Sequence, residues 1–139
     1  MTFNLEEARQ FHGHLGPWLV VGLRMGEAAL ERLQARKYFG VHVRVECPPR
    51  PPQSCLVDGL QLSTGATCGK SNLELIAASQ VRVVVRNKDT DETVEFRLVA
   101  GLPERLAAWL KAEGDEAAAR QVAQIPPSEL FVMDFSAKS

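Results

Sequence analysis

The chain has 139 residues, 45% of them hydrophobic and 24% charged, with a formal net charge of -1; it is long enough for one domain with a real core, and its balance excludes disordered and fibrous classes. A charge this close to neutral exerts no overall pull on nucleic acid, and the longest apolar run, Trp18 to Leu23, contains Gly22 and is closed by Arg24, far short of the roughly 20 residues that span a bilayer. Neither nucleic acid nor membrane is expected as a partner, and the opening Met1-Thr2-Phe3-Asn4-Leu5-Glu6-Glu7 has no basic start or apolar run of a secretory signal, so a cytoplasmic location is expected.

Asn4 is placed to cap a short helix through Leu5, Glu6, Glu7 and Ala8. That helix leads into Phe11-His12-Gly13-His14-Leu15-Gly16-Pro17, where two imidazoles one residue apart sit on a glycine-permitted corner and Pro17 suits the first turn of the next helix. From Trp18 to about Arg36, Arg24, Glu27, Glu31 and Gln34 recur at helical spacing as a polar stripe, with Leu19, Leu23, Leu30 and Leu33 on another face. Gly22, Gly26 and Ala29 form a third, smooth strip, costly in helix propensity and suited to close approach by a sheet, a helix or a second subunit. Val41, Val43, Val45 and Cys47 alternate with His42, Arg44 and Glu46 as in a half-buried strand, which turns His42 away from the core side. Pro48, Pro49, Pro51 and Pro52 end that strand in an extended connection.

Gln53 or Ser54 is placed to cap a helix from Cys55 to about Ser63, on which Cys55, Asp58 and Leu62 share a face, as do Asp58 and Gln61. Thr67 to Asn72 reads as a polar loop and Leu73 to Ala77 as a short strand. Val81-Val83-Val85 and Val94-Phe96-Leu98 flank the polar turn Asn87 to Glu92 and predict a hairpin. Pro103 opens a helix that Gly114 closes, Asp115 is placed to cap another through Val122, and Leu130 to Phe135 reads as an edge strand. These elements predict an α+β fold: an antiparallel or mixed sheet packed against a long N-terminal helix, with a helical C-terminal extension over residues 101–139 of a single domain.

Three cysteines, Cys47, Cys55 and Cys68, are too few for a disulfide framework and include no Cys-X-X-Cys pair, so any metal site must be assembled from scattered residues. Gly69-Lys70-Ser71 looks like the end of a phosphate loop, but the first glycine of that motif would fall on Thr64, which excludes it.

Phe11 to Pro17, Gly22-Leu23-Arg24-Met25-Gly26 and Cys55-Leu56-Val57-Asp58-Gly59-Leu60-Gln61-Leu62-Ser63-Thr64-Gly65-Ala66-Thr67-Cys68-Gly69-Lys70 together resemble the core domain of the formylmethanofuran dehydrogenase E-subunit family, over roughly residues 5–100. The resemblance implies an α+β core, a cytoplasmic prokaryotic protein that tends to dimerise, and a transition-metal site near the histidines and cysteine. Two departures stand out. Ala66 replaces a cysteine common in the family, and the four-cysteine zinc finger of longer members is missing. The resemblance does not carry the dehydrogenase reaction, which belongs to a large complex with molybdenum or tungsten and iron-sulfur centres.

Residue chemistry connects the two stretches independently. Two neutral imidazoles and one thiolate, from His12, His14 and Cys55, suit a divalent transition metal, zinc by default, and leave a position open for water or substrate. Cys55 at a helix start beside a metal or imidazolium would instead have a lowered thiol pKa and act as a nucleophile. Asp58 and Gln61 are candidates to orient the ligands, Lys70 to hold a small anionic ligand, and Thr64 and Thr67 to supply hydroxyl hydrogen bonds to a cofactor. The expected function is a metal-binding protein with redox or hydrolytic chemistry, with Cys55, Asp58 and Lys70 as the catalytic candidates. The alternatives are an accessory subunit, metal carrier or sensor that docks a partner protein through the Gly22/Gly26/Ala29 strip, or a metal-free protein using Cys55 as a thiol. A homodimer is the expected assembly.

Overall fold

In the computed structural model, which describes residues 4–137, the element nearest the start is short. Met1, Thr2 and Phe3, part of the stretch read for a secretory signal, lie outside that range. Helix α1 covers Leu5–His12, and its Asn4 cap accepts from the backbone N–H groups of Glu6 at 2.8 Å and Glu7 at 3.2 Å. Gly13, at φ 105, ends it in the left-handed conformation that glycine tolerates. The long helix is the second one, α2, over Pro17–Leu33. It stops before the expected Arg36 because Gln34 turns into the left-handed region.

The strands are β1 (Val41–Cys47), β2 (Leu73–Ala77), β3 (Arg82–Asn87), β4 (Thr93–Leu98) and β5 (Phe131–Ser136), in the spatial order β2-β1-β3-β4-β5. β1 and β2 are parallel and the remaining neighbours antiparallel, so the sheet is mixed. A parallel pair needs a crossover, and α3 (Cys55–Thr64) supplies it. Helices α4 (Leu102–Glu113) and α5 (Asp115–Gln124) follow, giving five α-helices among the described residues. The segment after residue 101 is not wholly helical: it returns as β5, with Phe131 opposite Leu98 and Phe135 opposite Val94. None of the helices among the described residues is long and apolar enough to cross a membrane.

One sheet face carries Val41, Val43, Val45, Cys47, Val83, Val85, Val94 and Phe96, all fully buried. Burying such side chains is the main stabilising term, about 1.5–3 kcal/mol for each large one. The other face is polar: His42 pairs with Glu74 at 2.9 Å, and Arg82 pairs with Glu46 and Glu95. His42 thus points away from the core, as the alternation predicts.

Helix α2 is buried on most of its circumference, including Leu19, Val20, Val21, Leu23 and Met25. Its glycine strip lies against α3. A Cβ on Gly22 would overlap the Leu56 carbonyl, one on Gly26 the Ser63 side chain, and one on Gly59 the Leu19 carbonyl. The strip is therefore an internal helix crossing, not a surface open to a partner. Arg24, read from sequence as part of a polar stripe, instead donates to the carbonyls of Val122 at 2.8 Å and Ile125, fastening the end of α5 to α2.

Candidate functional site

The contacts between α2 and α3 advance together: Leu19 meets Gly59, Gly22 meets Leu56 and Leu60, and Gly26 meets Ser63 and Thr64. The two helices therefore run in the same general direction and begin at the same end of the molecule. His14 stands just before α2, and Cys55 is the first residue of α3. His12, the last residue of α1, is folded back beside His14 by the turn at Gly13.

The result is a cluster in which one donor atom each from His12, His14 and Cys55 lies within 4.8 Å of the others. The two imidazole centroids are 4.8 Å apart, with the rings tilted by 41°. Gly16 makes room for this, because a Cβ there would stand 3.1 Å from His14 Cε1.

His12 Nδ1 lies 2.6 Å from Asp58 Oδ2. An ionised carboxylate only accepts, so that nitrogen donates to it, and in the neutral ring Nε2 then carries the free lone pair. Nε2 is buried and has no hydrogen-bond partner in the protein. An orphaned buried polar atom costs about 1–3 kcal/mol, which marks it as a group built to meet something else. Asp58, one turn beyond Cys55, thus fixes the ring that carries it.

The Cys55 thiol is pushed up, first by burial and then by the negative charges of Asp58 and Asp115. The lowered thiol pKa expected from its place at a helix start is not what the protein's own groups produce, because burial, and after it the two carboxylates, oppose the thiolate. Nor do Gln53 or Ser54 cap that helix with a side chain: it starts from a turn in which the N–H of Cys55 donates to Pro52 O at 3.1 Å.

Several residues read from sequence as part of the site lie elsewhere. Lys70 Nζ is 3.4 Å from Thr67 Oγ1 and faces the rings of Tyr38 and Phe39, 5.8 and 6.0 Å from their centroids. Tyr38 abuts Gly65, at the end of α3 opposite Cys55, and a ten-residue helix is about 15 Å long. Lys70 is thus displaced by the length of α3 from the cluster. Thr64 is buried, donating to Leu60 O at 2.6 Å and accepting from the N–H of Ala66 at 3.1 Å, so its hydroxyl is consumed by the turn. Thr67 likewise accepts from the N–H of Lys70 at 3.1 Å. Gln61 is half-buried on α3, one turn beyond Asp58, and its carbonyl closes the helix by accepting from the N–H of Gly65 at 2.8 Å. Cys68 is exposed, and Cys47 is buried in the sheet core.

Sequence reasoning missed one residue. Asp115 Oδ2 lies 3.6 Å from His14 Nδ1. Its place after Gly114 reads as a helix cap, but Gly114 takes the cap position and no side chain caps α5. Nothing in the local pattern points to His14.

Comparison with known proteins adds three findings. The sequence profile of the family described as "FmdE, Molybdenum formylmethanofuran dehydrogenase operon" matches residues 11–132. A "Probable S-adenosyl-L-methionine-binding protein" of Archaeoglobus fulgidus is 35% identical over 96 residues, covering 64% of this chain and 25% of that protein. This chain thus spans about a quarter of the length of that curated relative. A crystal structure of a tungsten formylmethanofuran dehydrogenase FmdE-like protein from Syntrophus aciditrophicus superposes with a TM-score of 0.67 at 23% identity, over 95% of this chain and 69% of that one. At that identity the likeness establishes the fold.

Proposed function

This chain belongs to the FmdE family, and on that premise we propose that it is a metal-binding protein whose ion is held by His12, His14 and Cys55, with zinc the leading candidate. The observation that carries the reading is His12 Nε2, a buried ring nitrogen with no partner in the protein, on a residue of a cluster whose three donors lie within 4.8 Å of one another. Two imidazoles and a thiolate are a borderline-soft donor set, which fits zinc and its late transition-metal neighbours better than magnesium or calcium.

Each residue of the chain then has a task. Asp58 keeps the proton on His12 Nδ1 and aims Nε2 inward. Burial and the nearby carboxylates disfavour a bare Cys55 thiolate, so a bound cation supplies the charge that holds it deprotonated. His14 is half-exposed, its side chain 52% accessible, which leaves an approach from solvent. A metal held there would supply Lewis acidity, and a set of only three protein donors is the kind found in catalytic sites more than in structural ones, because it would leave room for a further ligand. Redox or hydrolytic chemistry on a small substrate is the activity this favours. S-adenosylmethionine binding, named for the Archaeoglobus relative, forms no part of the proposal.

The test is elemental analysis of untagged protein beside His12→Ala and Cys55→Ala. About one transition-metal ion per chain is expected in the parent, with loss in both variants. Full retention in both removes the ligand assignment.

A further inference from the structure

We propose that Asp115 is a positioning residue of the cluster, orienting His14 as Asp58 orients His12; the inference rests on the metal-site reading above. Both carboxylates approach the Nδ1 side of their imidazole, Asp58 at 2.6 Å from His12 and Asp115 at 3.6 Å from His14. His12 Nδ1 is hydrogen-bonded, while the Asp115 carboxylate stands just beyond hydrogen-bond range of His14 Nδ1; once that contact closes, Nε2 is the nitrogen each ring has left to offer a ligand. Each carboxylate comes from a different helix, Asp58 from α3 and Asp115 from α5, so the two rings are approached from different parts of the fold.

Asp115 does not act as the helix cap its sequence position suggests, which leaves its carboxylate available. Its neighbour Glu116 shows how the start of α5 is held: Glu116 pairs with Arg9 of α1 at 2.9 Å and with Arg120 at 3.2 Å. The first of these ties α5 to the helix that ends in His12. The helix dipole favours a carboxylate in this first turn. The 3.6 Å separation is about 0.5 Å longer than a formed hydrogen bond. Asp115 and His14 are both more than half exposed, so a small rotation of either side chain closes the gap.

Asp115 stands outside the set of clustered donor atoms. The group whose donor atoms all lie within 4.8 Å of one another contains His12, His14 and Cys55, and Asp115 is outside it. Three donors from the chain would leave a bound ion a position for a ligand from outside it.

Two measurements on the full chain test this, with Asp115→Ala, Asp115→Asn and His12→Ala as variants. Long-range proton–nitrogen NMR at pH 8, on protein stripped of metal, is expected to show His14 protonated on Nδ1 in the parent and in Asp115→Asn, whose amide oxygen still accepts. In Asp115→Ala that preference is lost. Cobalt(II) titration of the same proteins is expected to show binding about 10–100-fold weaker in Asp115→Ala, with unchanged visible and thiolate charge-transfer bands, because all three donors remain. Altered bands would make Asp115 a ligand and overturn the proposal. Parent-like affinity together with an unchanged His14 tautomer would overturn it too, while loss of cobalt in His12→Ala would leave the metal site standing. If the parent takes up no cobalt, the metal reading fails, and the NMR comparison still decides whether Asp115 orients His14.

Discussion

Gly22→Ala tests the contact on which the cluster depends. A methyl at that position would overlap the Leu56 carbonyl and crowd the Leu60 N–H. Both obstacles are backbone, so no rotamer change relieves them, and α2 and α3 must separate. Overpacking of this kind costs about 1–3 kcal/mol, and the higher helix propensity of alanine returns about 1 kcal/mol. Because the obstacle is rigid backbone, the cost falls in the upper part of that range, about 2–3 kcal/mol, so a net loss of about 1–2 kcal/mol is expected, which for a chain of this size lowers Tm by roughly 3–7 °C. Urea unfolding followed by circular dichroism should show a lower midpoint at unchanged slope. Metal content should fall as well, since the same crossing sets how near Cys55 comes to His14. A neutral or stabilised Gly22→Ala protein, the outcome for a glycine on an open helix face, would refute the close crossing and the account of how the two ligand-bearing segments meet.

Other outcomes follow from the placement of side chains. Lys70→Ala should retain metal at the parent level in a cobalt titration, because Lys70 packs by Tyr38 and Phe39 at the far end of α3; a large loss of affinity would place it back at the site. Burial raises the Cys47 thiol above its ordinary 9.0, so the folded state holds that proton more tightly than the unfolded chain does. Its contribution to stability is then complete below pH 9.0 and is lost as pH rises toward the folded value. Urea midpoints measured from about pH 8 to 10.5 should fall for the parent and fall less for Cys47→Ala; parallel curves would show that Cys47 is not the group responsible.

Much of the fold was legible because local patterns carry it. Period-two valines mark β1, β3 and β4, Asn4 caps α1, and Gly-Pro opens α2. The C-terminal segment was harder. Its helices could be read, but that Phe131–Ser136 pairs with β4 is a long-range choice no local propensity encodes. The smooth strip of Gly22 and Gly26 announced a close approach without saying by what, since helix, sheet and second subunit all demand the same missing Cβ. Arg24 misled because a polar residue at helical spacing reads as solvent-facing, and only the arrival of the end of α5 shows what it binds.

The candidate site divides the same way. Local pattern along the chain was enough to say which groups are on offer: two imidazoles on a turn that Gly13 and Gly16 permit, and a thiol with a carboxylate one helical turn beyond it. Which of them meet is a matter of packing. The shared direction of α2 and α3 brings Cys55 to the histidines, and the length of α3 carries Lys70 away from them. Asp115 comes to 3.6 Å from His14 on a helix far along the chain from it. Such juxtapositions depend on contacts between distant segments, whose energy the spacing of residues along the chain does not record.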